Sequence, residues 1–219
     1  MTTVDLATIV AAGLDDWRPL VQSLHTRFRT GDFATGLEFV AAVGAAAEAA
    51  GHHPDLTLRY ADVDITLTSH DAGGVTRRDL DLARAISDLA AERGLAADPA
   101  RLTRVEIALN AADARAVGPF WATVLTGSPE AFTGEEVVDP TDQVPLLWFQ
   151  PTDPRDEPPE MCFHLDVWIP VGQLPSRIDA AVAAGGRLVD DSASPAFVVL
   201  EDAEQNKACL CTVMDRDRP

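Results

Sequence analysis

Gly51-His52-His53-Pro54-Asp55-Leu56-Thr57-Leu58-Arg59-Tyr60-Ala61-Asp62-Val63-Asp64-Ile65-Thr66-Leu67-Thr68-Ser69-His70 is the stretch from which the first half of the chain is read. Leu56, Leu58 and Tyr60 alternate with Asp55, Thr57 and Arg59, and Val63, Ile65 and Leu67 alternate with Asp64, Thr66 and Thr68. Two runs of period two joined by a short turn at Ala61 and Asp62 predict a pair of strands with one apolar face. Counting by twos puts His70 in register with Asp64, Thr66 and Thr68, away from the core. Upstream, Gly51 stands where a helix ends, and Pro54 pushes His53 out of the α region. The reading turns His52 and His53 together outward, toward the edge of the sheet that His70 faces.

Outward from this stretch, Asp32 to Ala50 is the clearest helix, with Asp32 as its cap and Leu37, Val40, Ala41, Gly44 and Ala47 as its apolar stripe. Arg77 to Arg93 reads as an amphipathic helix, capped by Thr76 with Asp79 in the acid position of a capping box. Val4 to Ala12 suits a short helix, and Trp17 to Arg29 suits two short strands. Gly94 and Pro99 interrupt the pattern, which sets domains at 1–96 and 102–219. The first is α+β, a sheet with helices on one face.

The histidines fall in the pattern H-H-P-x5-Y-x9-H-x8-D, from His52 through Tyr60 and His70 to Asp79. With Phe28-Arg29-Thr30-Gly31-Asp32-Phe33 and Val63 to Asp71, this resembles the pterin-4a-carbinolamine dehydratase family over residues 15–93. Leu56 departs from it where some relatives carry Trp, and Ser69 and Ala72 occupy positions that vary. The resemblance implies loss of water from a 4a-hydroxytetrahydropterin, without metal or cofactor. His52, His53 and His70 are then the catalytic imidazoles, with His53 and His70 as the principal acid and base and His52 orienting the pterin or sharing the proton traffic. Glu48, Pro54, Asp71 and Asp79 become the substrate-binding positions, Asp79 having a structural part as well. His25 lies outside the motif and reads as an ordinary, partly exposed histidine.

From Arg104 onward, Val105-Glu106-Ile107-Ala108-Leu109, Asp113, Phe120-Trp121 and Val124-Leu125-Thr126-Gly127 form one repeat. Cys162-Phe163-His164-Leu165-Asp166-Val167, Ala183 to Gly186 and Leu200 to Asn206 form another. These resemble the glyoxalase and bleomycin-resistance (vicinal oxygen chelate) superfamily and imply paired βαβββ modules. In its metal-using members the positions of Glu106 and His164 supply ligands, completed by carboxylates on the last strands. Here those last positions fall on Cys209 and on Phe149 or Gln150, so no metal is expected and Glu106 and His164 are weak candidates. The turn at Asp202 to Asn206 has Gln205 where the superfamily has glycine. An active metal-dependent lyase or dioxygenase in this half, or a binding and assembly role for the whole chain, are the alternatives to a dehydratase.

Bulk numbers narrow the partners. Of 219 residues, 17 are Lys or Arg and 35 Asp or Glu, a net charge of −18. Residues 1–98 hold 8 basic against 15 acidic side chains and residues 99–219 hold 9 against 20. Neither half offers a basic face, so phosphate backbones and anionic lipid surfaces are repelled. No run approaches the roughly 20 apolar residues of a membrane span, and Met1 to Gly13 does not read as a secretory signal. Three cysteines, Cys162, Cys209 and Cys211, read as reduced thiols, the last two as buried small hydrophobes. The expectation is a cytoplasmic enzyme with a small pterin as substrate, no nucleic acid or membrane partner, and a possible homo-oligomer.

Overall fold

The computed structural model describes residues 2–154, 164–212 and 214. Residues 155–163, with Cys162 and Phe163 of the second repeat, lie outside the described residues. The chain divides into two compact units, Met1–Arg104 and Val105–Pro219.

In the first unit the elements run α1 (Leu6–Ala11), β1 (Arg18–Leu20), β2 (Ser23–Arg29), α2 (Phe33–Ala50), β3 (Asp55–Arg59), β4 (Asp62–Leu67), α3 (Arg77–Glu92) and β5 (Ala96–Ala97). The strands are antiparallel in the order β1-β2-β4-β3, with β5 also on β2. Residues 97–101, left between domains by the sequence reading, fall within this unit, where Ala97 pairs on β2 and Asp98 is ion-paired with Arg29. Burial along β4 alternates residue by residue, so Val63, Ile65 and Leu67 enter the core while Asp64 and Thr66 stay on the other face. Phe28 and Phe39 meet edge to face at 5.3 Å in that core, among Leu24, Leu80 and Ile86. Each such fully buried side chain contributes roughly 1.5–3 kcal/mol.

Three details differ from the sequence reading. The buried stripe of α2 is Gly36, Phe39, Val43 and Ala47, and Leu37 is exposed. An alanine-rich helix gives a weak phase signal, and Phe39 rather than Leu37 decides which side turns in. Gly36 permits the approach of Leu58, whose Cδ1 would stand 2.6 Å from an added Cβ. α2 also has mean hydropathy 1.3 over 18 residues, long and apolar enough by composition to cross a membrane, yet its Phe39 stripe lies in the core. Tyr60 sits in the turn, 78% exposed, not on β3, and Ala61 beside it has φ 71°. His25 is buried on β2 with Nδ1 3.1 Å from the Thr66 hydroxyl, not partly exposed.

The second unit has β6 (Glu106–Ala111), α4 (Ala114–Thr126), β7 (Glu136–Val137) and β8 (Leu146–Pro151), then β9 (Leu165–Trp168), α5 (Leu174–Ala183), β10 (Arg187–Asp190), β11 (Phe197–Glu201) and β12 (Lys207–Cys211). The second set is a complete βαβββ module in the order β10-β11-β12-β9, whereas the first has three strands, β6-β8-β7, among the described residues. The turn at Asp202 is a structural knot. Buried Asp202 accepts from Trp121 Nε1 at 2.9 Å and from the Glu204 and Asn206 amides, while Glu204 accepts from the Ala112 and Asp113 amides ahead of α4. Gln205 takes the glycine-like conformation there, φ 67°.

Candidate active site

The end of α2 decides where the first two histidines go. Gly51 adopts φ 58° and the His52 amide reaches back to the Ala47 carbonyl at 3.2 Å, closing the helix with the chain folded back on itself. The residue after such a glycine is carried against the helix it has just left. His52 is therefore buried, 8% exposed, and His53, beyond it and ahead of Pro54, is exposed. The two imidazoles point apart rather than outward together.

His52 Nε2 lies 2.7 Å from Asp79 Oδ1. Asp79 is fully buried at the start of α3, and its other oxygen accepts from the Ser69 hydroxyl at 2.7 Å, the Thr76 amide at 2.7 Å and the Thr76 hydroxyl at 3.0 Å. The capping box anticipated from sequence is thus present in both directions. Burial alone would raise the carboxyl, but the bonds from Ser69, the Thr76 amide, His52 and the Thr76 hydroxyl outweigh it and hold Asp79 below the usual carboxylate range. An ionised carboxylate only accepts, so His52 carries its proton on Nε2 when neutral, leaving Nδ1 with the free lone pair. Asp79, expected among the substrate-binding positions, has no exposed surface, and its side chain meets His52, Ser69 and Thr76.

His70 is exposed on a short loop beyond β4, closed at its base by the Ser69–Gly74 bridge and by Ala72 and Gly73 amides bonding back to Ser69 and His70. Ser69, next to His70, and His52 sit on opposite oxygens of one carboxylate. This brings the loop of the third histidine to the first. Asp71 is ion-paired with Arg78 at the first turn of α3, which tethers that loop from its far side. His53 Nε2 meets Glu48 Oε1 at 3.0 Å on open surface, and Pro54 is half-buried between the two histidines and β3. A cavity of about 470 Å³ lined by Thr3, Val4, Gly73 and Gly74 abuts the His70 loop, with none of the three imidazoles in its lining. Sequence reasoning missed Ser69 and Thr76 as members of this network.

In the second unit, ligand atoms of His164, Asp166 and Cys209 all lie within 4.8 Å of one another. β9 and β12 run parallel with Asp166 opposite Cys209, and His164 Nε2 is 3.2 Å from Asp166 Oδ1. Glu106 is exposed on β6 and outside this group, Gln150 is exposed, and Phe149 is buried. Asp166 was the ligand type overlooked, although it lies two residues from His164 on a strand and so on the same face. Cys209 and Cys211 are buried on β12.

Comparison with known proteins divides at the same place. Residues 1–89 match the family described as pterin 4 alpha carbinolamine dehydratase, and residues 106–211 the glyoxalase-like domain. A Cyanothece protein named "Putative pterin-4-alpha-carbinolamine dehydratase" is 47% identical over 76 residues, 35% of this chain and 78% of the relative. Proteins of that name from Thermosynechococcus vestitus and Koribacter versatilis are 43% and 38% identical, over 36% and 41% of this chain and 83% and 94% of their own lengths. The crystal structure of a transcriptional coactivator/pterin dehydratase from Brucella melitensis is 30% identical, covering 41% of this chain and 99% of its own, with a TM-score of 0.39.

Proposed function

The chain belongs to the pterin-4-alpha-carbinolamine dehydratase family, and from that premise we propose that its N-terminal unit removes water from a 4a-hydroxytetrahydropterin by imidazole acid–base catalysis. The product is the quinonoid dihydropterin, returned in the cytoplasm for another round of aromatic hydroxylation. The C4a–O bond breaks as a proton reaches the leaving hydroxyl, and a proton leaves N5 as the C4a=N5 bond forms. An imidazole can both donate and accept a proton, so histidines serve both transfers.

The observation that carries this reading is the His52–Asp79 contact, joined through Ser69 to the loop of His70. A buried carboxylate that fixes the tautomer of one imidazole is a costly arrangement for structure alone, and it is the device by which histidines are set for proton transfer. In this scheme exposed His53 and His70 exchange protons with the pterin. His52 presents a lone pair of fixed direction to it. Glu48 holds the His53 ring, Pro54 fixes the chain between the two imidazoles and β3, and Asp71 with Arg78 holds the His70 loop. The test is dehydration of synthetic 4a-hydroxytetrahydropterin by His53→Ala and His70→Ala. Each single change is expected to slow it by on the order of 10²–10⁴ with the fold intact. Wild-type turnover in the double variant overturns the proposal.

A second reading rests on the His164, Asp166 and Cys209 group. Imidazole, carboxylate and thiolate suit a borderline divalent ion such as zinc, and three protein ligands are the number that leaves a position for water. Stoichiometric zinc in the purified chain that is lost in Cys209→Ser supports it. A metal-free chain that takes up no zinc removes it.

A further inference from the structure

A cavity of about 560 Å³ lies within the C-terminal unit, with Ile107, Leu125, Leu165 and Val167 on its apolar side. That volume is in the range of sites for small organic molecules. Three charged side chains reach it: Asp139, Asp166 and Arg177. Two of the three are matched. Asp139 accepts from the amides of Thr141, Gln143 and Val144 at 2.9, 2.8 and 3.1 Å and from the Thr141 hydroxyl, which fixes its own loop. Asp166 faces His164.

Arg177 differs. It projects from α5, half-buried, and its Nη1 donates to the Thr123 and Val124 carbonyls at 3.3 and 2.9 Å, at the carbonyl end of α4. Its guanidinium rests over Gly127, where an added Cβ would stand 2.8 Å from Nη2. Arg27, Arg29, Arg59, Arg78 and Arg187 each pair with a carboxylate. No carboxylate partner for Arg177 is found among the described residues, in a chain with 35 acidic side chains to choose from. Burial lowers its pKa from the ordinary arginine value, the mark of a desolvated cation. A guanidinium stays charged in proteins, so the helix-end carbonyls offset part of that cost and an anion would offset more.

We propose that this cavity binds a small organic monoanion, a hydrocarbon or aromatic body bearing one carboxylate, with the carboxylate on the Arg177 guanidinium. The apolar wall takes the body, and Trp168, 44% exposed on the lining, offers it an aromatic face. Two nearby aspartates and the net charge of −18 disfavour a dianion.

The test is calorimetric titration of the full chain with benzoate, phenylacetate, benzamide and phenyl phosphate. Benzoate or phenylacetate should bind saturably at one site, with benzamide weaker by about tenfold or more, as befits loss of a charged hydrogen bond. Arg177→Met should bring the carboxylate down to the level of the amide, and Arg177→Lys should recover part of the difference. Circular dichroism checks that the variants fold; if Arg177→Met does not, the carboxylate and amide affinities of the unaltered chain decide. No saturable binding of either carboxylate up to about 10 mM overturns the proposal, since a tenfold-selective fragment site should be filled there. Equal affinity for benzoate and benzamide, tighter binding of phenyl phosphate, or full affinity in a folded Arg177→Met variant does the same.

Discussion

Replacing Asp79 by Asn keeps the shape of the side chain and removes its charge, which separates two jobs the carboxylate does at once. It holds the start of α3 and it fixes His52. The amide cannot accept on both sides, so one buried donor from Ser69, Thr76 or His52 loses its partner, at about 1–3 kcal/mol. Turnover should fall by on the order of 10–10², part of what a positioned imidazole supplies, with an altered pH–rate profile that a purely structural loss would leave in place. The carboxyl is depressed in the folded chain, so below about pH 4 the unfolded chain binds the proton more readily. The stability Asp79 provides is therefore fully present above that pH and lost as pH falls through its folded value. Acid unfolding should be less steep in Asp79→Asn, measured by fluorescence against pH, and an unchanged curve rejects this role. The pairing of Asp79 with Thr76 is local, three residues apart, and legible from sequence. Its contact with His52 spans 27 residues, and nothing in the spacing of either residue announces it.

At the level of elements, both helix ends around the site were legible because each depends on a few adjacent residues. Asp32, Gly51 and Thr76 cap where their chemistry says they should. The inward turn of His52 follows from the same local geometry, but the sequence reading gave priority to Pro54 and so sent both imidazoles outward. Gly51→Ala tests this geometry: an L side chain at φ 58° costs roughly 1–2 kcal/mol. Dehydration should drop together with stability, since the fold-back that seats His52 relaxes, whereas Gly44→Ala, with open space beside it, should lose neither. In the other unit, Gln205 holds φ 67° in the Asp202 turn. Gln205→Gly should relieve roughly 1–2 kcal/mol of strain against roughly 0.4–1 of added unfolded-state freedom. A small rise in the midpoint of that unit's thermal unfolding is the expected result, and a fall would mean that the Gln205 side chain itself holds the turn. The phase of α2 was not legible, because apolar alanine on every side leaves only contacts such as Gly36 with Leu58 to set it.

For the whole molecule, the division at Arg104 separates unequal charges. Residues 1–104 carry 10 basic and 15 acidic side chains, and residues 105–219 carry 7 and 20. The first unit therefore has a net −5 and the second −13. Charge of one sign on a small body repels itself, and salt screens that repulsion over a Debye length of about 8 Å at physiological strength. Many carboxylates of the first unit are matched within it: Asp64 takes Arg27 at 2.5 Å and Arg59 at 3.3 Å, Asp98 takes Arg29, and Asp71 takes Arg78. Salt weakens those attractions while relieving little repulsion. In the second unit the Arg187–Glu201 pair offsets little of the excess, so screening acts chiefly on repulsion. Calorimetry of the intact chain should resolve two transitions, since each unit has its own core. Raising sodium chloride from about 0.02 to 0.5 M, which shortens the Debye length several-fold, should raise the midpoint of the second unit and leave that of the first nearly fixed. Dehydratase activity, followed through the same heating, should disappear with the salt-insensitive transition; loss with the salt-sensitive one would place the activity in the other unit.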